Sequence, residues 1–186
     1  LFNKCYSLVV QDFHPNHIRL LVFDIETNGL FFDVTSIHCI ALYNTEEGTT
    51  HIYNDEGGDH EPIIRGITYL EEADTLVGHN IINYDIPVIR KLYPFFKPSG
   101  RVVDTLVLSR LYHPNMMDVD KKHNWSNMPL QLCGRHSLES YGYRLGEYKG
   151  SFGKTTDWKQ WSQEMQEYCE QDVRVTTKLC NHFQPY

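Results

Sequence analysis

Asp24 and Glu26 stand two residues apart in the run Leu20-Leu21-Val22-Phe23-Asp24-Ile25-Glu26-Thr27, whose other residues up to Ile25 are apolar. Such a run reads as a strand buried on both faces. Side chains alternate along a strand, so the two carboxylates point to the same face. Two like charges in a poorly solvated place cost several kcal/mol unless something neutralises them. A divalent cation does so, because hard ions such as Mg²⁺ favour carboxylate and water oxygens. The alternative is a strand end carrying two solvated acids. The choice turns on whether other parts of the chain bring carboxylates to the same place.

Two other segments do. Trp161, Met165, Tyr168, Asp172, Leu179 and Phe183 are spaced by threes, fours or their sums and form one helical stripe. Asp172 is the one acid in that apolar and aromatic stripe, and a carboxylate on a buried helix face is rare without a partner. Tyr168 lies one turn before it. Between strand and helix, Asp85 precedes Pro87, a residue tolerated in a helix's first turn. By itself Asp85 reads as an N-cap; beside the other three acids it reads as a fourth ligand.

The elements that must position these groups follow from pattern. Strands are predicted to Thr27, over Ser36 to Tyr43 and over Thr49 to Tyr53, with a short one over Thr75 to Asn80. Helices are predicted over Pro62 to Ala73, up to Tyr93, over Arg135 to Tyr141, and from Asp157 or Ser162 to Phe183. A strand-rich first half with helices interleaved and following gives an α/β fold. Asp104 lies in the apolar run Val102 to Tyr112, either as a further ligand or as the cap of a strand-to-helix junction. Pro114 to Gln131, with Trp125, Lys121 and Lys122, reads as a long irregular stretch, either a substrate flap or a disordered excursion. Arg144 and Lys149 lie in a glycine-rich stretch as candidate phosphate contacts or solvated surface cations. Leu30-Phe31-Phe32 is an unusually apolar tip after the first strand, where Phe31 and Phe32 fit either an exposed contact or the core.

Three motifs resemble those of the DEDD superfamily of 3′-to-5′ exonucleases, tyrosine subtype: Phe23-Asp24-Ile25-Glu26-Thr27, His79-Asn80 through Asp85, and Tyr168-x-x-x-Asp172. Val103 to Leu111, and His136-Ser137-Leu138-Glu139 through Tyr143 to Gly150, are similar to the proofreading domain of T-odd bacteriophage family A DNA polymerases. The resemblance implies a ribonuclease H-like mixed sheet flanked by helices, with the exonuclease domain over 20–186 and residues 1–19 as an N-terminal arm. It also implies two divalent cations, Mg²⁺ or Mn²⁺, held by Asp24, Glu26, Asp85 and Asp172, with Tyr168 as a further catalytic group. Thr27, Leu30, Asn80, Arg144 and Lys149 are the expected substrate contacts. The expected substrate is a single-stranded DNA 3′ end, cut to nucleoside 5′-monophosphates by a free-standing enzyme or one fused to or partnered with a polymerase. An RNA-trimming enzyme resembling ribonuclease D, and a silent nucleic-acid-binding module, are the alternatives.

Composition limits the partners. A net charge of −7 argues against gripping nucleic acid through a broad basic surface. The four motif acids supply −4 of that charge, which two divalent ions would offset. No apolar run approaches the ~20 residues of a membrane span. The first nineteen residues lack the pattern of a signal peptide. Five scattered cysteines without a C-x-x-C fit a reducing, cytoplasmic setting, such as that of a phage-infected bacterium.

Overall fold

The computed structural model describes residues 18–56, 58–123, 125, 127–147 and 157–185. Its centre is a five-stranded sheet in the order β3-β2-β1-β4-β5. β1 (Leu20–Thr27), β2 (Ile37–Asn44) and β3 (Thr49–Asn54) form an antiparallel meander, and β4 (Thr75–Gly78) and β5 (Arg101–Asp104) add in parallel beside β1. This is the mixed sheet that the α/β reading and the ribonuclease H-like resemblance imply. The parallel strands need crossovers. α1 (Ile63–Glu71) links β3 to β4, and α2 (Asp85–Leu92) links β4 to β5.

The alternation of β1 divides the core. Leu21, Phe23 and Ile25 face α1 and α2 in one cluster with Ile63, Ile67, Leu70, Ile86 and Ile89. Val22 faces the opposite way, packing with Cys39, Ala41 and Val77 against Cys169 and Val173 of α6 (Gln163–Phe183). Asp24 and Glu26 continue the Val22 face, towards α6. Ser162 caps α6 by accepting the Met165 N–H at 3.1 Å. The far side of α6 packs through Val175, Leu179 and Phe183 against Met116, Leu138 and Tyr141, which belong to smaller helices.

Those helices correct one expectation. The 114–131 stretch is not irregular: it holds α4 (Met116–His123), and a single 3-10 turn follows at Leu130–Leu132. α3 (Thr105–Tyr112) precedes it and α5 (Leu138–Arg144) follows. What organises the stretch is Asp120, whose buried carboxylate accepts from Trp125 Nε1 (2.8 Å), Gly134 N (2.7 Å), Arg144 Nε (2.9 Å) and Arg144 Nη2 (2.7 Å). A sequence window sees only charges and turn residues here, because the organising partners lie 5 to 24 positions away. α5 begins at Leu138 rather than Arg135, since the Ser137 hydroxyl accepts the Ser140 N–H and sets the start. Among the described residues no helix is long and apolar enough to cross a membrane.

Candidate active site and metal centre

β1 pairs with β4 only through Leu20, Val22 and the residue between them. Past that point the β4-facing edge of β1 is met by the turn 79–84 and by Asp85, the first residue of α2. The Asp85 carboxylate lies against its own backbone N–H and that of Ile25, which favour its charged form against burial. It therefore does not act as the N-cap of α2; Tyr84 holds that position without a side-chain cap. Asp85 is only 4% exposed and its Oδ1 is buried without a hydrogen-bond partner. Burial first, then the charges of Asp104 and Asp172, push its pKa up to about 7.

From the opposite face of the sheet's edge, α6 brings Asp172, 7% exposed, into electrostatic contact with Asp85. Asp24 and Glu26 offer carboxylate oxygens within 4.8 Å of each other and of Cys169 Sγ on α6. The Tyr84 hydroxyl, its pKa raised chiefly by burial, also feels the charges of Asp85, Glu26 and Asp24. Strand, turn and helix thus bring all four predicted acids into one electrostatic neighbourhood. Tyr168 stands half-buried one turn before Asp172, its ring edge-on to Trp158 with centroids 6.4 Å apart.

A buried carboxylate oxygen with no donor, in a pocket of carboxylates, fits a hard divalent cation. Asp24, Glu26, Asp85 and Asp172 are the residues that could hold such ions. Cys169 suits them poorly: burial, then Cys39, raise its thiol well above the usual range, and hard cations do not favour sulfur. Its Sγ lies 3.5 Å from Asp24 O and 3.7 Å from Asp24 Oδ2, so it acts as a neutral brace for that residue. Sequence reasoning missed it, although it neighbours Tyr168 in the helix.

The turn before Asp85 depends on Asp104. This acid caps α3 through the Leu106 N–H (2.9 Å), as the capping alternative required. It also accepts from Asn80 N (2.8 Å) and Ile82 N (3.1 Å), holding Asn80 at φ +68°. Gly78 ends β4 where an added Cβ would lie 2.2 Å from Ile81 Cγ2 and 3.0 Å from Phe23 O. The strand can approach β1 so closely only without a side chain.

The other expected contacts are distributed unevenly. Asn80 lines an open cleft of about 500 Å³ with His79, Arg110, Arg135 and His136, none of which the sequence reading put forward as a contact. The Thr27 hydroxyl turns inward, donating to Gly29 O at 3.0 Å and sharing a hydrogen bond with the Tyr84 hydroxyl. Leu30 is exposed. Arg144 is corrected: its side chain is 5% exposed, and its guanidinium makes a bidentate pair with Asp120, so it is neither a solvated cation nor open to a phosphate. Lys149 and residues 1–17 lie outside the described residues.

Comparison with known proteins identifies the family and the fold. The family described as the RNase_H superfamily matches residues 21–184, which include all four acids and Tyr168. The chain belongs to the RNase_H superfamily. The DNA-directed DNA polymerase of Enterobacteria phage T3 is 34% identical over 183 residues, covering 86% of this chain and 26% of the polymerase. That of Escherichia phage T7 is 33% identical over 184 residues, with the same coverage. This RNase H-like chain thus spans about a quarter of the length of those curated relatives. Among solved structures, Brucella melitensis NrnC superposes with a TM-score of 0.62 at 17% identity, covering 95% of this chain and 77% of NrnC. At that identity the likeness shows the fold alone.

Proposed function

We propose that this RNase H-like domain is a metal-dependent 3′-to-5′ exonuclease that trims single-stranded DNA ends to nucleoside 5′-monophosphates. The observation that carries the reading is the gathering of acids at this end of the sheet: Asp24 and Glu26 offer oxygens within 4.8 Å of each other, and Asp85, under the charge of Asp172, is held buried with an oxygen that has no donor. Bound by these carboxylates, two divalent ions would acidify a water and offset charge developing on the scissile phosphate. The protein's own part is to hold and orient. Tyr168, with a reference pKa near 10, is a poor base at neutral pH, so its hydroxyl serves to orient the attacking water. Cys169 and the Ile25 N–H fix the rotamers of Asp24 and Asp85. Arg110, Arg135 and His136 line a cleft beside Asn80 that suits the phosphates of the retained strand.

DNA is favoured over RNA by the one-third identity to the phage polymerases. An RNA-trimming activity is the second reading, because NrnC of the same fold has been solved bound to pGG and with bound Mg²⁺. Degradation of 3′-labelled single-stranded DNA and RNA, each with Mg²⁺, Mn²⁺ or EDTA, decides between them. Nucleoside monophosphates released from DNA with metal and not with EDTA are expected; no release under any condition would overturn the reading.

A further inference from the structure

The tip after β1 carries Leu30, Phe31 and Phe32, and it is turned towards water. Leu30 is 76% and Phe32 89% exposed, whereas Phe31 is 36% exposed. The loop beneath them is tied down at every step. Asp33 N and Val34 N donate to Leu30 O at 2.9 and 2.8 Å. Asn28 Oδ1 accepts from Thr35 N and Ser36 N, and Asn28 Nδ2 donates to Thr35 Oγ1 at 2.7 Å. Lys91 Nζ, on α2, donates to the carbonyls of both Phe31 (2.8 Å) and Phe32 (3.0 Å) and sits 5.5 Å from the Phe31 ring. Phe31 meets Phe32 edge-on, with centroids 5.6 Å apart and planes at 76°. Folding has fixed an aromatic face in solvent where it could have been tucked away, and an exposed apolar surface held in this way marks a contact.

We propose that Phe32, buttressed edge-on by Phe31, is a stacking platform for an unpaired nucleobase of the strand whose end lies in the acid pocket. The inference rests on the exonuclease reading and adds to it a determinant of single-strand retention. α2 carries Asp85 at its first residue and Lys91 six residues on, about 9 Å along the axis. The platform is thus braced by the helix that carries Asp85 and follows directly on the strand that carries Asp24 and Glu26. The ammonium nearest the tip is engaged by two carbonyls, so the tip offers a ring face rather than a phosphate contact. Every base has a π face, so such a grip tolerates any sequence, while paired and stacked duplex bases withhold theirs. It also suits a chain of net charge −7, which cannot hold a polyanion by charge alone.

The test measures kcat and KM of the full chain with Mg²⁺ on single-stranded oligonucleotides bearing one abasic site at each of the first positions from the 3′ end. Because Phe32 is exposed, Phe32→Ala should melt like wild type. On intact strands it should raise KM roughly five- to hundredfold with kcat little changed, and Phe32→Trp should restore binding. At one abasic position wild type should lose the same factor and Phe32→Ala nothing more. An unchanged KM in Phe32→Ala beside full wild-type cleavage overturns the platform while leaving the nuclease reading intact, and points to a protein as the occupant of the tip. A penalty that is the same at every abasic position also overturns it. Failure of the wild type to cleave any strand removes both.

Discussion

At Asp85, burial and the charges of Asp104 and Asp172 raise the carboxyl pKa from an ordinary 3.8 to about 7. Between those values the folded protein keeps a proton that the unfolded chain has released. That contribution to stability is present at low pH and is lost as pH rises through about 7. The metal-free protein should therefore lose stability across this interval relative to Asp85→Asn, as read by Tm against pH. At pH 8, saturating Mg²⁺ should raise the Tm of wild type more than that of Asp85→Asn; equal shifts would remove Asp85 from the ligand set. Asp172→Ala should lower cleavage by more than about a hundredfold, since even residues behind metal ligands are worth ten- to hundredfold, while its circular dichroism spectrum stays native. Tyr168→Phe should lose less than about a hundredfold, because orienting a water is worth less than transferring its proton. Wild-type rates in that variant would take the phenol out of the mechanism.

At the scale of elements, regular periodicity was legible and mutual support was not. The run ending at Thr27 and the Met165-to-Phe183 stripe announce their period, and the structure has β1 and α6 there. The pairing of Asp120 with Arg144 leaves no periodic trace, so the sequence offered a loop and a free cation where the protein has α4 and a buried ion pair. Breaking such a pair strands a charge without water. Asp120→Ala should cost about 3–5 kcal/mol in chemical denaturation. Arg144→Met, which removes the charge and keeps much of the bulk, should cost less than Arg144→Ala. If either Arg144 variant weakened nucleic-acid binding while its fold stayed intact, the guanidinium would have a substrate role after all. Asp104 shows the same limit: its cap on α3 was readable, and its hold on the turn 24 residues earlier was not.

For the whole molecule, charge governs how the substrate arrives. With a net charge of −7 and few cations near the pocket, association should depend steeply on Mg²⁺ and only weakly on monovalent salt. A plot of log affinity against log[KCl] should have a slope shallower than about −3, corresponding to about four phosphates met on a single strand; a slope near −8 would point to many more phosphate contacts than the cleft of Arg110, Arg135 and His136 supplies. The α/β class was readable from the pattern of strands and helices, and the ribonuclease H-like topology from the resemblance that the three acid-bearing motifs carry. The cleft of Arg110, Arg135 and His136 was not, because it forms only when α3 and the segment before α5 meet the turn at Asn80.

Asp104 ends β5, and β5 is an outermost strand bonded on one side to β4. The geometry of the buried pocket is thus tethered to the rim of the sheet. Edge strands fray more readily than central ones, so brief detachment of β5 would release the Asn80 and Ile82 amides together and let Asp85 drift from Ile25. Amide exchange at these two positions should then report how often the acid cluster momentarily comes apart, with the rest of the molecule still folded.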